Sequence, residues 1–438
     1  MSAQPRPLTA TYRLQLRREF GFRDAAAIVP YLADLGVSHV YCSPVLQATP
    51  GSAHGYDVVD HSRLSPELGG DEGWATLVAA CRDQGLGLVV DVVPNHMAMP
   101  TPESMNAPLW DVLRHGRQSA YAHWFDIDWD SQNDRVLMPV LGDPLEDCLA
   151  RGELTVDTAA GVLRYYDHEF PLAPDTGAPA GDLRALLNAQ HYRLAHWRVA
   201  GTELNYRRFF DVTSLIGVRV ELPDVFDATH ARLLELVRSG EVDGLRIDHP
   251  DGLADPGGYL DRLRSASGGS WTVVEKILEH GEVLPASWAC DGTTGYDALA
   301  AVSGVLIDPD AEKALTEVYV EATGEEPDFA TVVATAKRQV VDQLFQAEIR
   351  RLVRELRLPA LEGLVPTTLS DDELHAAVAE LLVWFDVYRA YPGDAPSGER
   401  YRGRGSARGP PLARPTRRRA RASASCSCAR PAPPDRSP

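Results

Sequence analysis

Two carboxylates and one guanidinium carry the most specific chemistry in this 438-residue chain. Asp248 ends the apolar run Gly244-Leu245-Arg246-Ile247-Asp248, and Glu275 interrupts a second run at 271–277. Arg246 stands two residues before Asp248, so on a strand both side chains project to the same face. A guanidinium there favours an ionised, oriented carboxylate. If Asp248 and Glu275 share a pocket at about 5–5.5 Å, one can attack an acetal carbon while the other protonates the leaving oxygen, which is retaining glycoside chemistry. Glu275 would then need a raised pKa, for which Val273, Val274, Ile277 and Leu278 offer an apolar setting. A structural ion pair between two strands fits the same spacing, and spacing alone leaves both readings open.

Further polar residues follow other apolar runs. Asn95 and His96 come after Asp91-Val92-Val93-Pro94, and His54-Gly55-Tyr56-Asp57 lies beyond the second run. The Tyr56 ring could stack on a sugar, and His54 and His96 could donate to hydroxyls. Each residue also fits a local loop role. Zinc is disfavoured, because these segments hold neither an H-x-x-x-H nor a cysteine pair.

The elements that must position these residues alternate. Strands are expected at 12–16, 37–43, 86–93, 244–248 and 271–277, with Val305-Leu306-Ile307 as the candidate sixth. Between them, Ile28, Val29, Leu32 and Leu35 share a helical face closed by Gly36. Trp74, Leu77, Val78 and Cys81 share another, with Asp71 as cap and Gly85 as stop. Asp255-Pro256 reads as N-cap and N1 of a further helix. Apolar strands alternating with helices imply a parallel sheet covered on both faces. A long excursion after the third strand favours a (β/α)8 barrel over an open sheet. In such a barrel Asn95, His96, Arg246, Asp248 and Glu275 would lie at the C-terminal strand ends that line the active site. The expected organisation is a first barrel part at 1–96, an inserted domain at 97–226, a second barrel part at 227–308, a helical segment at 309–391 and a tail at 392–438.

Composition narrows the partners. The net charge of −19 combines two unlike parts: residues 392–438 hold eleven arginines and three acids, +8, while residues 1–391 hold 32 basic and 59 acidic residues, −27. An acidic body argues against nucleic acid or an anionic membrane as partner. Four cysteines scattered singly, a tail C-x-C (Cys426, Cys428) with no second Cys/His pair, and no run of 18 apolar residues fit a cytoplasmic protein, expected to be a monomer. The tail, with nine prolines and few apolar residues, cannot build a core. A basic nucleic-acid arm and a native disordered extension are two readings of it. Out-of-frame translation of GC-rich DNA is the favoured one, since 40 of the 43 basic residues in the chain are arginine.

Asp91-Val92-Val93-Pro94-Asn95-His96, Gly244-Leu245-Arg246-Ile247-Asp248-His249 and Val274-Glu275-Lys276-Ile277 resemble, in order and spacing, three conserved regions of the α-amylase superfamily. The long insertion resembles that superfamily's B domain. Ser52-Ala53-His54-Gly55-Tyr56-Asp57, Asn205-Tyr206-Arg207-Arg208-Phe209-Phe210-Asp211, His249-Pro250-Asp251-Gly252-Leu253 and Gly292-Thr293-Thr294-Gly295-Tyr296-Asp297 resemble the maltooligosyl trehalose synthases, from about Leu8 to Tyr391. The resemblance implies Asp248 as nucleophile and Glu275 as acid/base. It places Tyr56, His96, Arg246, His54 and His249 around a maltooligosaccharide, and Asp91 and Asn95 as structural residues beside it. Asn95 matches a calcium ligand of many amylases, but no metal and no cofactor are assigned. The implied reaction is an intramolecular transglycosylation that turns the reducing-end α-1,4 linkage into an α,α-1,1 linkage. An α-glucan hydrolase, a 4-α-glucanotransferase or a non-catalytic glucan-binding remnant are the alternatives. The family's third carboxylate, in a Glu-Asp-Thr-Ala-type motif, has no counterpart in this sequence. The expectation is therefore an incomplete barrel, truncated and inactive by itself.

Overall fold

A computed structural model of the chain describes residues 7–174, 176, 182–279, 281–325, 328–358, 366, 368–385 and 387–391. The chain divides into Met1–Ala390 and Tyr391–Pro438, and the first unit is described below. The expected tail at 392–438 lies outside the described residues.

Six strands form one parallel sheet in chain order: β1 (Thr11–Leu14), β2 (His39–Cys42), β3 (Gly87–Val92), β4 (Gly244–Ile247), β5 (Trp271–Val274) and β6 (Gly292–Thr293). Neighbours run in the order of the sequence, so the sheet curls as an incomplete (β/α)8 barrel. All residues of β3 and β4 are buried, as a parallel sheet covered on both faces requires. The register sets Arg246 of β4 beside Asp91 of β3 and Val273 of β5.

Helices α1 (Phe22–Leu35) and α2 (Gly70–Asp83) cover the first strands. Phe22 of α1 meets Trp74 of α2 edge to face, with centroids 5.4 Å apart. Gly36 closes α1 in the left-handed conformation (φ 88°), as expected. Asp71 lies in the first turn of α2 rather than at its cap, which is Gly69. Helices α3 (Pro223–Arg238) and α4 (Pro256–Ala266) flank β4, and the Asp255 carboxylate caps α4 by accepting from Gly258 N–H at 2.9 Å.

The sixth strand is not where its composition pointed. Val305 ends helix α5 (Tyr296–Val305), and Leu306 and Ile307 follow it in the open, 84 % and 66 % exposed. The alanine-rich stretch 298–301 favours helix and carries Val305 with it. The true β6 is Gly292–Thr293, paired through Val273 and Val274. Two residues without a large apolar side chain give no pattern to read. Strand β5 also stops at Val274, so Glu275 opens the following loop.

Between His96 and Pro223 the chain builds its own small sheets. His96–Ala98 pairs with Val212–Gly217, Val136–Leu141 with Tyr192–His196, and residues 154–171 form a three-stranded antiparallel sheet. After α5 the described chain is helical: α6 (Glu312–Thr323), α7 (Phe329–Leu344), α8 (Gln346–Leu356) and α9 (Asp371–Trp384). Val341, Ile349, Val378, Ala379 and Val383 form a core shared by α7, α8 and α9. Arg351 and Arg354 of α8 bind Asp126 and Asp128 at 2.7 and 2.5 Å, and Glu348 holds Arg208 at 2.8 Å. Helices α5 and α6 bury no residue. No helix among the described residues is long and apolar enough to cross a membrane.

Candidate active site

Arg246 is the hub of the site. Its Nη1 donates to Asp91 Oδ1 at 2.8 Å and to Asp248 Oδ1 at 2.7 Å, while Nη2 lies 2.8 Å from Glu275 Oε1. The side chains of Arg246, Asp91 and Asp248 are buried, and that of Glu275 is 23 % exposed. Strand alternation puts Arg246 and Asp248 on one face, as their spacing predicts. The parallel register supplies Asp91, which sequence spacing alone could not link to Arg246.

Three carboxylates therefore surround one guanidinium. Burial first, then the Asp91 charge, pushes the Asp248 carboxyl up to about 8, against the pull of Arg246. Burial likewise raises Asp91. The carboxylates keep Arg246 firmly protonated although burial opposes its charge. Asp91 is saturated: beyond Arg246, its Oδ2 accepts from the hydroxyls of Tyr41 at 2.8 Å and Tyr56 at 2.5 Å. Arg13 Nη2 in turn donates to Tyr56 OH at 3.0 Å.

Glu275 is not set among apolar side chains as expected. Ile277 is 58 % exposed, and the carboxylate accepts from the backbone N–H of His249 at 3.1 Å besides pairing with Arg246. The strand ends three residues before its expected end, and Ile277 faces outward. His249 holds a left-handed backbone (φ 40°, ψ 59°), unusual for a residue with a Cβ. That conformation aims its N–H at Glu275.

The other expected residues distribute as follows. Tyr56 lies directly on the cluster through its hydroxyl. His96, buried, donates from Nε2 to the Tyr56 carbonyl oxygen at 3.0 Å, while its Nδ1 faces the Asn95 amide at 3.3 Å. The His249 ring packs against Phe209 and Phe210, with centroids 5.1 and 5.2 Å away, and its Nε2 is 3.2 Å from Tyr388 OH. His54 sits at the rim, half exposed, its ring stacked 6.0 Å from Tyr56. Asn95 turns away, and its Oδ1 accepts from Arg207. A calcium ion on Asn95 does not fit the residues present, because the Arg207 guanidinium fills that position. Among the described residues no group of three or more His, Cys, Asp or Glu side chains could hold a metal ion.

Sequence reasoning missed Tyr41, Arg13, Arg207, Lys276 and Tyr388. Tyr41 precedes Cys42 at the end of β2, so strand alternation alone could have raised it. Lys276 is fully buried next to Glu275, between Asp251 at 3.3 Å and Glu282 at 3.1 Å, an ion-pair link that no local pattern signals.

The buried titratable groups make stability depend on pH. Burial lowers His61 to about 4 and His96 and His230 to about 3. A depressed histidine contributes stability above its unfolded value of about 6.5 and loses it as pH falls toward the folded value. Asp248, raised, acts oppositely: its contribution is present at low pH and is lost as pH rises through about 8. Three histidines outweigh the raised Asp248 and Asp91, so the urea midpoint is expected to fall between pH 7 and pH 5. A midpoint that holds or rises on acidification contradicts this balance.

Two carboxyl groups bound to neighbouring nitrogens of one guanidinium, one buried and one facing the opening, can serve as nucleophile and proton carrier at an acetal carbon. The comparisons agree with that chemistry. The α-amylase catalytic domain matches residues 26–257. A putative maltooligosyl trehalose synthase of Mycobacterium tuberculosis is 44 % identical over 396 residues, 89 % of this chain and 49 % of the relative. The structure of maltooligosyltrehalose synthase from Arthrobacter ramosus superposes with a TM-score of 0.81 at 46 % identity, covering 87 % of this chain and 48 % of that one. A hypothetical maltooligosyl trehalose synthase of Sulfolobus tokodaii gives 0.76 at 36 % identity, covering 91 % and 51 %. The chain thus spans about half the length of these relatives. With its six-stranded part of the barrel and the Asp91–Arg246–Asp248–Glu275 cluster at the strand ends, the chain belongs to the α-amylase catalytic-domain family.

Proposed function

We propose that this chain carries the first part of the catalytic barrel of a maltooligosyl trehalose synthase. The observation that carries the reading is the Arg246 hub with Asp248 and Glu275 on its two terminal nitrogens, in a chain 44–46 % identical to such enzymes. Glu275 gives its proton to the glycosidic oxygen of the reducing-end linkage as Asp248 Oδ bonds to the sugar C1, and the C1–O bond breaks. The freed glucose stays and turns over. Its anomeric hydroxyl then returns a proton to Glu275 and attacks C1, and the Asp248 ester bond breaks. Two inversions leave an α,α-1,1 linkage and a recharged Glu275. Arg246 favours the ionised form of Asp248 against the burial that raises it, and Tyr56, with His54 on its far side, forms an aromatic wall for the sugar.

We further propose that the chain alone binds maltodextrins without turning them over. The sequence holds no counterpart of the family's late-barrel acid motif, and Leu299, Val302 and Val305 of α5 stand 60–86 % exposed, an apolar face left open among the described residues. The test is a chimera in which residues 8–391 replace the matching half of the Arthrobacter ramosus enzyme, compared with the chain alone on maltopentaose. The chimera is expected to form a non-reducing product with an α,α-1,1 linkage, and the chain alone to bind without product. New reducing ends from the chimera would make it a hydrolase, and longer glucans a 4-α-glucanotransferase. Binding without turnover even in the chimera would leave a glucan-binding remnant.

A further inference from the structure

Glu275 is gripped at both of its carboxylate oxygens. Oε1 lies 2.8 Å from Arg246 Nη2, and Oε2 accepts from the backbone N–H of His249 at 3.1 Å. The next residue, Lys276, turns the other way. Its fully buried ammonium lies 3.3 Å from Asp251 Oδ2 and 3.1 Å from Glu282 Oε1, with the centre of the Tyr388 ring 5.9 Å away. Asp251 stands two residues after His249, in the turn Pro250–Gly252. These contacts close a ring. It runs from Glu275 through one peptide bond to Lys276, across the ion pair to Asp251, back along the chain to His249, and through the His249 N–H to Glu275. Glu282 is fixed in its own loop: its Oε2 accepts from Glu279 N–H at 2.9 Å, and its N–H donates to Glu279 O at 2.9 Å.

We propose that Lys276 is a positioning residue for proton transfer by Glu275: it ties the loop after β5 to the loop after β4 and so keeps the His249 N–H on Glu275 Oε2. The proposal rests on the reading of Glu275 as acid and base. Pairing between the strands reaches only as far as the Glu275 N–H, which donates to Ile247 O at 2.9 Å. Beyond that point the ion pair holds the two segments in register. A buried ion triad is a poor device for stability alone, because well-packed apolar side chains of similar volume often serve as well or better. What it supplies is a fixed relation between segments. Lysine suits the task, since one compact ammonium with several donors can serve carboxylates from two loops at once. An acid displaced by about 1 Å from its proton's path can lose about 100-fold in rate.

The test compares maltopentaose with α-maltotetraosyl fluoride in the chimera with the Arthrobacter ramosus enzyme. Both donate the same glycosyl group to Asp248, but fluoride leaves as an anion and needs no proton from Glu275. Azide in the buffer then attacks C1 as an anion while the Asp248 ester bond breaks, so the second half-reaction needs no base either. Lys276→Met is expected to lower kcat on maltopentaose at least about 100-fold, and fluoride release in azide less than about 5-fold. Equal losses on both substrates, the mark of general structural damage, overturn the proposal, as does a loss below about 5-fold on maltopentaose. Glu275→Gln, run alongside, tests the premise: it should show the same selective loss, and equal losses there overturn the acid and base reading itself. A chimera that turns over neither substrate removes that reading and the proposal with it. If the methionine variant does not fold, Asp251→Asn, which leaves Lys276 its Glu282 partner, decides by the same comparison. A loss of about 10-fold or more confined to maltopentaose upholds the proposal, and equal losses or none overturn it.

Discussion

Asp248→Asn in the chimera is expected to lower kcat by about 10⁴-fold or more. Asparagine keeps the shape of the side chain, and its oxygen can still accept from Arg246 Nη1. What it cannot do is form the ester that carries the sugar between the two half-reactions. Maltopentaose affinity should change little, because Asp248 is 6 % exposed and offers little surface to a ligand. The melting temperature should hold or rise. Asp248 is pushed up to about 8 by burial and by Asp91, so an uncharged replacement relieves the crowding of negative charge. Loss of activity without loss of stability separates a nucleophile from a structural ion pair, the two readings that sequence spacing left open. A variant that keeps more than about one per cent of kcat would remove Asp248 from the nucleophile's role.

Arg246→Leu is expected to cost about 3–5 kcal/mol in urea denaturation, the range for breaking a buried ion cluster by deleting one partner. The guanidinium touches Asp91, Asp248 and Glu275, and its removal leaves Asp91 and Asp248 facing each other in the protein interior. The sign of the pH dependence follows. Without the cation, the native carboxyls hold protons more tightly than in the unfolded chain, so their contribution is present at low pH and is lost as pH rises. The deficit should therefore be larger at pH 8 than at pH 5. Arg246→Lys should recover little, because one ammonium cannot span the positions of Nη1 and Nη2. A deficit below about 1 kcal/mol, or one larger at pH 5, would show that the cluster is not held by its arginine.

Much of this site was legible because alternation along a strand is a short-range rule. Arg246 and Asp248 needed only the spacing of two, and the ends of β3 and β4 needed only their apolar runs. The Asp255 cap and the Gly36 stop were equally local. The misses share a different physics. Strand β6 is two residues long and exists through its pairing with Val273 and Val274, not through its own composition. Val305, Leu306 and Ile307 have strand-like side chains, yet the helix begun at Tyr296 runs into them. Three partners of Arg207, Asn95, Asp126 and Gly252, lie 112, 81 and 45 residues away in sequence, so no short window of the chain contains them together. The backbone of His249 is held left-handed by what surrounds it, and nothing in the residue type announces that.

The tie between Asp91 and Arg246 also has a meaning in time. The two residues are 155 positions apart. At synthesis rates of ~5–20 residues per second, roughly 8–30 s pass on the ribosome before Asp91 can meet its partner. Through that interval the growing chain carries a carboxylate destined for the interior with no cation to accompany it. The strand that bears it can pair with β2 early, but its other edge meets β4 only after the entire intervening segment has been made.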